Sequence, residues 1–197
     1  FTLVAQGLRY VKGEQLLWSV LLVAVIFNIT GFSFHTTLVP IFAKDILDRD
    51  SVGLGILISS FGIGGLAGSM FWASIPNLKH TGMFCILAVM GWHSTMILFA
   101  LSTNFYLSVG ILVVTGMMFS SSLVLVLTVL MKTGRPEFRG RLMGLRTLAI
   151  YAHAFGSLGA GAVAGALGAP ASAVLSGLFG IAMMLVLVLI APKLRRF

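Results

Sequence analysis

Residues 51–69 read SVGLGILISSFGIGGLAGS. No charge occurs between Asp50 and Lys79, which leaves room for a helix of the about 20 apolar residues needed to cross a hydrocarbon core about 30 Å thick. A strand reading fails here, because barrel strands alternate in polarity over about ten residues and this run is continuously apolar. Small residues also recur within it. Gly64 and Gly68 stand four apart, so they form a flat stripe on one helix face that another helix backbone can approach closely. Together these properties predict an all-α, polytopic membrane protein.

The rest of the chain repeats the pattern. It is 58% hydrophobic and only 9% charged, with a mean hydropathy of +1.07, well outside the averages of soluble domains. Apolar runs predict six spans, at about 16–42, 52–75, 82–101, 105–131, 142–167 and 171–191, joined by short charged or turn-forming links. Residues 1–15 read as an amphipathic cytoplasmic lead-in, 16–191 as the six-helix bundle and 192–197 as a basic cytoplasmic tail. Arg9, Lys12 and Glu14 interrupt the lead-in, so it is no signal peptide.

The net charge of +8 does not point to nucleic acid, because the basic residues sit in links between spans and there set orientation in the bilayer. With six spans, one side of the membrane receives Arg9, Lys12, Lys79, Lys132, Arg135, Arg139, Arg141, Arg146, Lys193, Arg195 and Arg196, which is 11 of the 13 Lys and Arg residues. The other side receives Lys44 and Arg49, offset by Asp45, Asp48 and Asp50. Both termini are therefore expected in the cytoplasm.

A division near Asn104 gives three spans and three spans, the topological requirement for a 3+3 inverted repeat. The middle helix of each unit is heavy in small residues: Gly64 and Gly68 in the first, Ser157, Gly161 and Gly165 in the second. Ordinary bundle packing accounts for such stripes, and so do the sliding contacts of a transporter.

Ionisable groups within a membrane mark function, yet no Asp or Glu falls inside a predicted span. The titratable groups there are His35, His93 and His153, on three different helices, so neither a metal site nor any cofactor is expected. No nucleophile, carboxylate pair or ligand cluster shares one depth, which argues against an enzyme. The single cysteine, Cys85, reads as a small buried hydrophobe.

The first span is the most polar, and Asn28 and His35 share one of its faces two turns apart. Helical spacing likewise aligns Thr115, Phe119 and Ser122 in the fourth span, and Thr147, Tyr151 and Phe155 in the fifth. These faces are expected to line a largely apolar cavity suited to an amphipathic or uncharged organic substrate, although Ser and Thr hydroxyls also bond back to helix carbonyls.

Four stretches carry a resemblance: GLRYV at 7–11, LVPIFAKDIL at 38–47, the opening run at 51–69, and PEFRGRLMGL at 136–145. The chain resembles the C-terminal six-helix half of a major facilitator superfamily transporter, of the bacterial branch that includes the enterobactin exporter. The resemblance implies a secondary carrier of a bacterial inner membrane, proton-coupled, working by alternating access with export favoured over uptake. It implies as partner an N-terminal six-helix half, on the same or a separate chain; the start at Phe1 agrees with a piece of such a carrier. The second and fifth spans would meet that half along their glycine stripes, and the third and sixth would face lipid. Glu137, Arg139, Gly140 and Arg141, with Arg146 one turn inside the fifth span, correspond to a cytoplasmic gate. The stretch SMFWASIPNLKHTG at 69–82 departs from the charged pattern usual after the family's second helix, so no charge-locked gate is expected at 76–81. The competing reading is a six-helix scaffold subunit of a larger membrane complex that does not transport.

Overall fold

A computed structural model describes residues 2–75 and 78–197; Pro76 and Asn77, within the link at 76–81, lie outside the described residues, as do the side chains of residues 2–5 and of Ser33. Among the described residues the elements are all helical. A lead-in helix, Thr2–Gly13, is followed by six membrane-length spans at Gln15–Ile46, Ser51–Ala73, Thr81–Ala100, Phe105–Thr133, Pro136–Leu167 and Ala169–Ile190, and by a short tail helix, Pro192–Arg196.

Local chemistry sets several of these boundaries. Asp50 caps the second span by accepting the Gly53 amide at 2.9 Å, and Asn104 caps the fourth by accepting that of Leu107 at 3.1 Å; each satisfies a donor that the first helical turn leaves free. Gly168, at φ +86°, turns the chain between the fifth and sixth spans in a conformation open to glycine. A proline in the first turn of the next helix then fits without loss, since its amide would be unpaired there anyway.

Two spans extend past their expected ends. The first continues to Ile46 through π-helical turns at Phe34–Leu38 and Phe42–Ile46, which flank Pro40. Proline lacks the amide an α-helix needs and its ring crowds the preceding turn, so wider turns accommodate it. The fifth span starts earlier than expected, with a 3-10 turn at Pro136–Phe138 and an α-helix from Arg139 to Tyr151; after a break at Ala152 it resumes over His153–Leu167. Arg139, Gly140 and Arg141 therefore lie in the first helical turn, not in the link. The tail also folds as a helix: Leu194 is buried, with its backbone against Gly82 at the head of the third span.

The packing reproduces the inverted repeat. The fourth span packs against the second and third, and the first against the fifth and sixth, while the third and sixth meet each other. Exchanging first with fourth, second with fifth and third with sixth maps these contacts onto one another, whereas the packing of the fifth span on the sixth has no counterpart of similar extent between the second and third. Glycine permits the closest of them. A methyl group at Gly64 would overlap the carbonyl of Val113, one at Gly116 that of Phe61, and one at Gly156 that of Ile29.

This corrects the expected use of the second span's glycine stripe. Gly64 and Gly68 do not face outward towards another half; they abut Val113 and Met117 of the fourth span. Gly161 and Gly165 have nothing within 4 Å, and the close approach of the fifth span to the first is made by Gly156 instead. Helical spacing predicts that a stripe exists but not which helix lies across it. The third span is likewise more central than expected, with Trp92, His93, Met96 and Phe99 fully buried. Around the bundle, large apolar side chains such as Ile63, Leu66, Leu178 and Leu189 are exposed, an outer surface suited to lipid and far more apolar than a water-soluble monomer presents.

Candidate functional site

Where the first four spans meet, a column of aromatic rings crosses the bundle. Phe27 lies 4.1 Å from Trp92 and 5.2 Å from Phe119, centroid to centroid. Phe119 in turn touches Phe61 at 5.3 Å. His35 closes the column, stacked on Phe61 at 5.0 Å and edge-on to Phe119 at 5.3 Å. Gly31 makes this possible, because any side chain there would overlap the Trp92 ring. The wide turn at Phe34–Leu38 carries His35, whose Nδ1 is buried and lacks a hydrogen-bond partner among the described residues.

The residues expected to line a cavity fall into two environments. Asn28, Thr115 and Ser122 are buried, and each donates to the carbonyl one turn earlier: Asn28 to Ala24 at 2.7 Å, Thr115 to Ile111 at 2.7 Å and Ser122 to Met118 at 2.8 Å. Their polar groups are thus satisfied within their own helices. Of the seven, His35 and Phe119 meet across two spans. Thr147 and Tyr151, with Phe155, lie exposed along the fifth span, away from the aromatic column.

Sequence reasoning did not foresee the pairing of His93 with Thr30. His93 Nδ1 lies 2.8 Å from the Val89 carbonyl, and Nε2 lies 2.6 Å from Thr30 Oγ1 across the helix interface. The carbonyl only accepts, which assigns the proton of the neutral ring to Nδ1 and leaves Nε2 to accept from the Thr30 hydroxyl. Gly180 of the sixth span lies flush against the ring. His93 is thereby a bond between three spans. The presence of Thr and His at matching depths was the available signal.

At the membrane surface that carries the lead-in helix, Tyr10 stacks on Phe138 at 4.2 Å and the Arg141 guanidinium lies over the Phe138 ring, 4.8 Å from its centroid. The Arg135 amide donates to the Tyr10 hydroxyl at 3.1 Å. Arg139 makes a long contact of 3.5 Å to the Met131 carbonyl, and Lys132 donates to the Leu78 carbonyl at 2.9 Å. Glu137, Arg139 and Gly140 are exposed and Arg146 is half-buried. Of the expected gate residues, Arg141 packs on this aromatic stack, whereas Arg139 reaches the Met131 carbonyl instead. The rings of the stack were visible in GLRYV and PEF, but nothing in the spacing joined residues so far apart.

Six spans, an inverted repeat and a basic, aromatic-braced link agree with the finding that a family model described as transmembrane secretion effector, a major facilitator type of transporter, matches residues 1–196. The chain belongs to this family. No curated protein and no solved structure matched it. As a transmembrane secretion effector it is a multi-pass membrane protein of transport and efflux. Among the described residues no group of three His, Cys, Asp or Glu side chains is arranged to hold a metal ion.

Proposed function

We propose that this chain forms the C-terminal half of a secondary carrier that exports a small amphipathic organic molecule by alternating access, with a second six-helix half as its partner. The observation that carries the proposal is the openness of the second and fifth spans. Their most apolar windows are buried over only 22% and 17% of their length, against 65% for the first span. On the fifth, Tyr151, Phe155 and Leu158 stand exposed beside Gly161 and Gly165, whose surroundings are empty. An open stripe of small residues between large apolar ones suits a partner helix that must approach and slide. With that partner in place, Thr147 and Tyr151 would flank the substrate path opposite the aromatic column of His35 and Phe119.

Coupling is assigned to protons, with the carboxylate in the other half, because the acidic residues within this chain's spans, Asp45 and Glu137, lie at the span ends and none lies in the membrane interior. The bias of basic residues supports cytoplasmic termini, and the resemblance to bacterial exporters supports a bacterial inner membrane. On that side Arg139 and Arg141 would brace the partner half when the inner side is shut, through carboxylates and helix C-terminal carbonyls.

The test is export of an amphipathic fluorescent dye from cells carrying the full-length protein. Joint replacement Arg139→Gln and Arg141→Gln should reduce export by about tenfold or more, the loss of about 1.4 kcal/mol, while membrane levels stay near wild type. Normal export at normal levels would remove the gate. If the wild type moves no amphipathic dye under a pH gradient, yet purifies in a stable complex with another membrane protein, the scaffold reading replaces the carrier.

A further inference from the structure

A groove of about 510 Å3 runs between the lead-in helix, the first span and the fifth span. Its volume falls within the roughly 300–1,000 Å3 of pockets that take small organic ligands. The wall is apolar from end to end, through Trp18, Leu22 and Val25 on the first span and Leu148 and Ala152 on the fifth, and the single charged residue lining it is Lys12 of the lead-in helix. None of the cavity residues discussed above borders it.

Depth gives the groove a polarity. Trp18 lies three residues inside the start of the first span, the level at which indoles settle among lipid headgroups. From there to Val25 the helix rises about 10 Å, so the wall descends from the interface into the hydrocarbon layer, with the ammonium only at the interfacial end. Leu22 and Leu148 are 41% and 54% exposed, which leaves the groove open sideways along its length. A matching ligand has an anionic head at the interface and a single apolar chain below it.

We propose that this groove is a lipid site that holds one acyl chain of an anionic phospholipid, with the lipid phosphate against Lys12. Complementary charge selects the headgroup, and the descending apolar wall selects the chain. A lysine ammonium is a compact point charge that suits a phosphate without demanding a fixed bidentate geometry. The site would fasten the lead-in helix to the fifth span through a bilayer component.

Native mass spectrometry of the full-length protein, equilibrated with phosphatidylglycerol and phosphatidylcholine of identical chains, tests this. One phosphatidylglycerol should survive detergent exchange, retained about fivefold over phosphatidylcholine, the effect of one basic side chain at an anionic surface. Lys12→Gln, at an exposed position, should abolish that preference, and Ala152→Phe, which fills the groove, should remove retention of both lipids. A photoreactive benzophenone introduced at Leu22 should yield a phospholipid adduct. Equal retention of the two lipids by the wild type, an unchanged preference in Lys12→Gln, or cross-linking from Leu22 to another protein segment would each overturn the proposal.

Discussion

The imidazole of His93 has two neighbours in fixed positions and, when neutral, one hydrogen to give. Val89 takes that hydrogen, so the Thr30 hydroxyl must supply the other bond, even though Thr30 Oγ1 also lies 2.7 Å from the Ile26 carbonyl. Thr30→Val, which keeps the shape and removes the hydroxyl, should lower stability by about 1 kcal/mol, while Thr30→Ser should lose much less; unfolding in mixed detergent micelles measures both. The glycines give a sharper contrast. Gly64→Val drives a side chain into the Val113 backbone and should cost about 2 kcal/mol or more, read as a lower unfolding midpoint. Gly161→Val meets empty space within this chain, so it should leave the fold intact and act on transport. Comparable losses of stability from both would contradict the packing. Both glycines were equally conspicuous in the sequence, where four-residue spacing marks a face and carries no record of what covers it.

At the scale of elements, the lead-in helix is held to the start of the fifth span by Tyr10, Phe138 and Arg141. Removing the ring with Tyr10→Ala should release that helix, seen as faster tryptic cleavage at Arg9 and Lys12 while the six spans stay protected; an unchanged cleavage rate would show that the stack contributes nothing. The existence and order of the spans were legible because each is a long apolar run, a signal that survives any detail of packing. Their ends were less so. Charge at Lys44 and Asp45, or at Arg139 and Arg141, reads as a link, yet both sets lie in helical turns, because long charged side chains reach the interface from a helix as easily as from a loop. In the sequence the tail reads as a basic cytoplasmic segment, since Lys193, Arg195 and Arg196 outweigh the one leucine that docks it.

For the whole molecule, the contact pattern that exchanges the two sets of three spans makes topology testable. Introduced cysteines should divide by side: Asp48→Cys and Thr103→Cys should react with an impermeant maleimide on intact cells, and Lys79→Cys and Arg135→Cys only after permeabilisation. Labelling of all four from one side would refute the six-span topology. The fold class and the repeat could be inferred from the sequence because they follow from hydropathy and an odd number of crossings. The candidate site could not, because it assembles four spans around one aromatic column, and ring-to-ring contact leaves no periodic trace. Asn28, Thr115 and Ser122 looked like a lining by helical spacing, but each bonds within its own helix, a choice that short polar side chains make locally.

The two wide turns around Pro40 have a geometric consequence for the first span. A turn closed over five residues instead of four slips the helical phase by about one residue, near 100°. Residues before Phe34 and those approaching Ile46 therefore belong to different helical wheels, and a face counted in steps of 3.6 from Asn28 is rotated out of alignment by the time it reaches Lys44. Deleting a single residue between Phe34 and Ile46 would cancel one slip and swing the outer end of the span by nearly a third of a turn, whereas a deletion elsewhere in the same helix would break a register that is already regular.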